Sequence, residues 1–360
     1  MTTKRCAIVG ATGIAGQQFV AALDGHPWFE ITTLAGSERS AGKTYDAALR
    51  DPKTGARRWW CAEEPSAAVQ ALTVQHAETL DLEGIDVVFS AVESDVARVL
   101  EPRYAKSAAV LSTASAFRYE EDVPIIVPGV NLAHVAEIDR QRRRRGWRGF
   151  IVPLPNCTTL GLVVTLKPLL EHFGVQRVVM TSMQGVSGAG RSPGVLALDI
   201  LDNVVPYIPG EEEKVARETG KILGVMGADG IVPADFPVSA TCTRVAVTEA
   251  HTEAVTVSLG RRVSSGDVAS AFREFGGDLA RLGLPSAPRR LITVHDDPFR
   301  PQPRLDRDAD GGMTTSVGRV RADTALEHGV RYVLVSHNTK MGAAKGAVLA
   351  AEYLATAGYL

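Results

Sequence analysis

The stretch KRCAIVGATGIAGQQFVAALDGHP, residues 4 to 27, decides the fold. Its first six residues form a short apolar run of β type, and glycines follow at positions 10, 13 and 16. Phe19, Val20 and Leu23 then give the next segment the apolar spacing of a helix. Strand, glycine-rich turn and helix, in that order, make the βα unit that binds dinucleotides. Gly10 permits the sharp turn, Gly13 lets backbone approach a pyrophosphate, and Gly16 lets the helix lie close on the strand. The helix N-terminus adds unpaired N–H groups for the anion. Thr12 and Ile14 stand in the same turn and join Gly10 and Gly13 as candidate cofactor contacts. A spaced-glycine turn is weak evidence alone; its setting between strand and helix gives it weight.

Outward from that unit, the second apolar strand EITTLAG leads into Ser37-Glu38-Arg39-Ser40. An NAD site usually ends this strand in an acid that holds the ribose 2′-hydroxyl. Here Ser37 and Ser40 flank Arg39, a pattern suited to a 2′-phosphate, because guanidinium pairs with phosphate in bidentate fashion. The expected cofactor is therefore NADP, with a solvated loop charge as the plainer reading of Arg39. Further apolar runs at 85–92, 108–115 and 123–131 alternate with helical or irregular segments, as a parallel sheet requires. The arginine run 142–145 reads as a solvated face, since no aromatic platform or second basic patch accompanies it.

The totals bound the class. A chain of 360 residues is long for one domain, and two is the ordinary expectation. A net charge of −2 suggests neither nucleic acid nor an anionic membrane as partner. No apolar run approaches the roughly 20 residues a bilayer needs. The first residues move straight into a strand, leaving no room for a leader. Cys6, Cys61, Cys157 and Cys242 lie far apart, with no zinc spacing, which predicts no metal, no disulfide scaffold and a reducing cytoplasm.

The segment PLPNCTTLGL, residues 153 to 162, raises the chemical question. Cys157 falls between a strand end and a helix carrying Leu160, Val163, Val164, Leu166, Leu169 and Leu170, with Pro168 predicting a bend and Gly174 a stop. A helix N-terminus favours thiolate and can draw a cysteine pKa from about 8.5 into the range of roughly 3.5 to 7.5. A buried inert thiol fits the same string. Gln184 ends a strand before a glycine-rich loop, a place for donors near a reacting oxygen. His251 follows Arg244 in a strand-rich segment; it is a packing histidine or the base that acyl transfer on a cysteine requires.

The motifs GATGIAGQ, SERSAGK, SAFRYEEDVPIIVPGVN, PNCTTLGL, QGVSGAG, LDILDNVVPYIPGEEEK, SATCTRV…HTE, RPQPRLDRDADGGM with SVGRVR, and SHNTKMGAAKGAVLAAE run from residue 8 to about 352. In that order they resemble the aspartate-β-semialdehyde dehydrogenase family, in the branch found in archaea and fungi. The resemblance implies an α/β fold with a Rossmann-type NADP-binding domain. A second, α+β substrate and dimerisation domain of the semialdehyde and glyceraldehyde-phosphate dehydrogenase type follows. The boundaries implied are 1–156 with the last helix at about 340–360, and 157–339. It implies Cys157 as nucleophile, His251 as acid/base, Gln184 as the acyl-orienting group and Asn156 as an oxyanion contact. Arg244 would clamp the substrate α-carboxylate, Glu211 the ammonium, and Lys214 and Arg118 the phosphate. Gly188, Asn338 and Thr339 would lie by the nicotinamide. Partners implied are a small-molecule substrate, phosphate and further copies of the chain, as dimer or tetramer, with no nucleic acid and no membrane.

Three departures from the family pattern stand out. Ala250 replaces a glycine before His251 and would shift the loop that presents the histidine if φ > 0 is needed there. Lys345 stands where a glycine is usual, and Gly129 where a glutamate is usual. They leave open a paralogue acting on another acyl phosphate or an acyl-CoA. A non-catalytic NADP-binding protein is the rival from another class, opposed by the retained Cys157, Gln184 and His251.

Overall fold

The computed structural model describes residues 3–191 and 194–360. They form two compact units, one built from the chain up to Ile126 with His134–Leu154 and Ala343–Leu360, the other from Val127–Ala133 and Pro155–Gly342.

The first unit is a six-stranded parallel sheet of β1 (Lys4–Val9), β2 (Phe29–Gly36), β3 (Val74–His76), β4 (Val87–Ser90), β5 (Ala109–Ser112) and β6 (Phe150–Pro153). Their order is β3-β2-β1-β4-β5-β6, the doubly wound arrangement that reverses direction beside β1. β4, β5 and β6 are buried at every residue, as strands covered on both faces must be. On one face the helix Ile14–Leu23 and the C-terminal helix Ala344–Thr356 pack Phe19, Val20 and Leu23 into one core with Val348, Ala351 and Leu354. Beneath them His26 Nδ1 accepts the N–H groups of Trp28 and Phe29, so its ring hydrogen sits on Nε2 and is donated to the buried Glu352 at 2.9 Å.

Two local outcomes differ from plain patterning. The apolar run 123–131 forms no strand, because Pro124 and Pro128 lack the N–H a ladder needs. The arginine run lies on the helix Glu137–Arg145 and is spent locally. Arg142 stacks on Phe150 and Tyr359, Arg144 pairs with Glu121, and Arg145 holds Asp122 with two nitrogens.

The second unit is a seven-stranded mixed sheet, with strands β7 (Val175–Gln184), β8 (Val204–Val205), β11 (Val238–Val245), β12 (His251–Leu259), β13 (Ile292–His295), β14 (Thr315–Ala322) and β15 (Gly329–Ser336), ordered β13-β14-β15-β12-β7-β11-β8. A separate hairpin pairs β9 (Val225–Gly227) with β10 (Gly230–Val232). The helix Cys157–Phe173 lies on β12 and β15 and against the helix Glu211–Ile222. Pro168 lies within it without ending it, and Gly174 stops it at φ +72°.

Candidate active site

Sheet register builds the site. Arg244 on β11 pairs with Gln184 on β7, Gln184 with His251 on β12, and His251 with Ser336 on β15. Paired residues point to the same face of a sheet, so the first three expected groups form one row. The row beneath is Cys242, Ser182, Glu253 and Leu334 by the same pairing. Both Glu253 oxygens are buried with no hydrogen-bond partner among the described residues, and burial pushes this carboxyl well above the usual carboxylate range. Burial likewise pushes the Cys242 thiol up to about 11 and Cys6 further still, which marks both as inert.

Cys157 is the first residue of its helix, half-buried, with Sγ 3.1 Å from His251 Nε2. The other ring nitrogen, Nδ1, accepts the Gly185 N–H at 3.2 Å. The same Gly185 N–H also donates to the Ala250 carbonyl at 3.1 Å, which leaves Nε2 as the ring nitrogen that faces the sulfur. Burial lowers the His251 pKa to about 4, and the Arg244 guanidinium adds to that, so the ring is neutral at pH 7. The helix N-terminus at Cys157, with the imidazole beside the sulfur, favours the thiolate.

Asn156, expected as an oxyanion contact, also anchors the start of the helix. It is the N-cap: Oδ1 accepts the N–H groups of Thr158 at 2.8 Å and Thr159 at 3.3 Å, while Nδ2 donates to Glu211 at 2.8 Å. Glu211 is buried and also accepts Gln184 Nε2 at 3.3 Å, and Lys214 Nζ lies 3.7 Å from its second oxygen. Gln184 donates as well to Ser182 Oγ, and Arg244 to the Gly185 carbonyl. Cys157, His251, Gln184, Asn156, Glu211, Lys214 and Arg244 thus share one interior. Arg118 belongs to the first unit, where its buried side chain donates to the Thr113 carbonyl.

Two glycines make room. A Cβ on Gly188 would fall 2.9 Å from Arg244 Nη1 and 3.3 Å from His251 Cε1. One on Gly342 would fall 2.9 Å from the Cys157 Cβ. The sequence did not mark Gly342; only its place four residues after Asn338 could have. Asn338 Oδ1 accepts the Ala250 N–H at 2.8 Å, its Nδ2 donates to Ser187 Oγ, and Thr339 donates to Glu249. The expected nicotinamide-side loop is thereby stitched to the corner that presents His251.

Ala250 sits in that corner at φ +84°, buried. Such a φ costs an alanine about 1–2 kcal/mol. Ala250→Gly should relieve it, less about 0.8 kcal/mol for the buried methyl. The expected gain is a few tenths to about 1 kcal/mol in urea unfolding of this unit; a loss would show that the corner does not hold that φ. Gly129 also has positive φ, +84°, and a Cβ there would meet Leu291 at 2.8 Å, so the residue usual in the family would not fit.

In the first unit the glycine turn fits a dinucleotide. Gly10 has φ +79°, and its Cβ would lie 2.3 Å from the Ala91 carbonyl oxygen; a Cβ on Gly16 would lie 2.1 Å from the Gly10 oxygen. Gly13, exposed, would touch only the Gly10 oxygen, at 3.5 Å, and no side chain caps the helix that begins at Ile14. Its first N–H groups are left for an anion. Gln17 Nε2 holds the Thr12 carbonyl and Tyr45 Oη the Ala11 carbonyl, which fixes the turn. At the end of β2, Ser37 and Arg39 are exposed, and Ser40 turns inward onto the Ser37 carbonyl. Lys43 donates to the Arg39 carbonyl at 2.8 Å, a second cation in that turn. Among the described residues no cluster suits a metal ion, and no helix is long and apolar enough to cross a membrane.

Comparison with known proteins gives two family matches: semialdehyde dehydrogenase, NAD binding domain, over residues 5–138, and semialdehyde dehydrogenase, dimerisation domain, over residues 166–341. The aspartate-semialdehyde dehydrogenase of Methanothermobacter thermautotrophicus is 46% identical over 347 residues, covering 96% of this chain and 97% of that one. That of Candida albicans is 43% identical over 372 residues, covering 98% of each. The crystal structure of the Candida albicans aspartate semialdehyde dehydrogenase with NADP covers 100% of both chains at a TM-score of 0.88 and 40% identity.

Proposed function

The chain belongs to the aspartate-semialdehyde dehydrogenase family, and from that premise we propose that it reduces aspartyl-4-phosphate to aspartate-4-semialdehyde with NADPH, reversibly, through a thioacyl intermediate on Cys157. The Cys157–His251 pair at 3.1 Å, in one interior with Arg244 and Glu211, carries the reading. The thiolate attacks the acyl carbon and the C–O bond to phosphate breaks, leaving a thioester on Sγ. NADPH, when bound, supplies the hydride that reduces it. Collapse of the tetrahedral adduct re-forms the thiolate and releases the aldehyde. Once the sulfur is acylated, His251 Nε2 is free to serve as acid/base at the oxygen that carries the charge, an effect worth about 10²- to 10⁴-fold.

Charge selects the substrate. Arg244 is assigned to the α-carboxylate, Glu211 to the ammonium, and Lys214 with Arg118 to the phosphate. Gln184 orients the acyl oxygen, and Gly188 keeps Arg244 and His251 close. The cofactor assignments are Gly10, Thr12, Gly13, Ile14, Ser37, Arg39 and Ser40 in the first unit and Gly188, Asn338 and Thr339 in the second. The first unit is assigned to the cofactor and the second to catalysis and dimerisation. Leu196, Leu198, Leu201 and Tyr207 expose large apolar side chains there, Leu198 at 93%, which supports a homodimer or tetramer. Four cysteines with no disulfide among the described residues fit a cytoplasmic enzyme.

The test is NADP⁺ reduction with phosphate. Aspartate semialdehyde should exceed succinate semialdehyde by roughly 10²-fold in kcat/KM, because the latter lacks the ammonium assigned to Glu211. Turnover of succinate semialdehyde alone, or dependence on CoA in place of phosphate, would overturn the substrate assignment. On the cofactor side, Arg39→Ala should weaken NADPH binding roughly 10- to 100-fold and leave NADH nearly unchanged. Equal effects on the two would reject the 2′-phosphate role.

A further inference from the structure

We propose that Glu218 is the positioning residue of the nucleophile: its buried carboxylate fixes the Asn156 N–H, and with it the peptide that delivers Cys157 to the helix N-terminus. A helix start leaves N–H groups without intrahelical partners, and a capping box satisfies the N-cap N–H with a glutamate or glutamine three residues on. Here that third residue is Thr159. Its side chain is too short to reach back, and its Oγ1 is buried with no hydrogen-bond partner among the described residues. The Asn156 N–H goes instead to Glu218 Oε2 at 2.5 Å, across 62 residues of sequence.

Glu218 is 0% exposed and lies on the buried face of its helix with Val215, Thr219 and Ile222. Seven residues earlier on that helix, Glu211 takes the Asn156 side-chain amide. One helix thus grips one residue by backbone and by side chain, while the Asn156 oxygen holds the first turn of the next helix. A buried carboxylate is costly unless its hydrogen bonds repay desolvation, and a charge-assisted bond to a backbone N–H does so. If this peptide tips, Cys157 Sγ leaves its 3.1 Å contact with His251, and a misplacement of about 1 Å can cost 10²-fold in rate.

Glu218→Met keeps the bulk and removes the acceptor; Glu218→Gln keeps an acceptor oxygen and removes the charge. Glu218→Met should lower kcat roughly 10- to 100-fold with the aldehyde KM within about twofold. It should also slow alkylation of Cys157 by iodoacetamide at neutral pH by about tenfold, whereas Glu218→Gln should stay within about threefold of the parent in both. Two variants that behave alike would show a charge effect and overturn the proposal, as would an unchanged alkylation rate in Glu218→Met. Should Glu218→Met not fold, Glu218→Gln decides: near-parent alkylation upholds the anchor, and a tenfold loss rejects it. The kcat readout rests on the function proposed above; alkylation does not. Alkylation that follows the expected pattern in a protein inactive on aspartate semialdehyde would therefore sink the substrate reading and leave the anchor standing.

Discussion

Cys157→Ser should abolish turnover, lowering kcat by about 10⁴-fold or more in phosphate-dependent NADP⁺ reduction. The reason is chemical. A serine hydroxyl at this helix end meets an imidazole whose pKa burial holds near 4, too weak a base to take a proton from an alcohol. The alcohol stays protonated and a poor nucleophile. The folded protein should be otherwise intact, since Sγ and Oγ differ little in size beside Gly342. Undiminished turnover in the serine variant would end the thioacyl mechanism, and fluorescence titration with NADPH would show whether cofactor binding survives.

The second large effect is at His251. His251→Ala should lower kcat about 10²- to 10⁴-fold. It should also slow iodoacetamide alkylation of Cys157, because the imidazole partner of the sulfur is gone. The pH dependence carries a sign. Burial holds the folded-state pKa near 4, below the ordinary 6.5, so the ring stays neutral as pH falls through 6.5 and charges only near 4. The activity of the parent enzyme should show no acid limb at 6.5 from this group. An acid limb near 6.5 that His251→Asn removes would contradict the lowered pKa. Unfolding releases the ring to bind a proton between 6.5 and 4, so this histidine contributes stability above 6.5 that is lost as pH falls toward 4, at about 1.4 kcal/mol per pH unit.

What the string of residues revealed depended on range. The βα turn is local, and glycines at 10, 13 and 16 with the apolar face of Phe19, Val20 and Leu23 were enough to read it. Strand order is long-range, and the run 123–131 was misleading because its apolar content outweighed its two prolines. Ala250 was legible as a residue out of place, and its φ of +84° supplies the physical content. Arg244 and His251 stand seven residues apart, which suggests a hairpin; β7 instead lies between their strands and brings Gln184 into the row. Glu218 was not legible. It sits in an acid-rich, helix-forming segment that reads as a solvated face, and only the packing of two helices turns it inward.

The C-terminal helix has a consequence for how the protein is made. All six strands of the first unit have been synthesised once Pro153 is translated, yet the helix that covers Phe19 and Leu23 begins only at Ala344. The whole second unit is synthesised in between. A nascent chain therefore carries half of its nucleotide-binding core uncovered through most of translation, and a message truncated near its 3′ end would spoil the half of the protein that was made first.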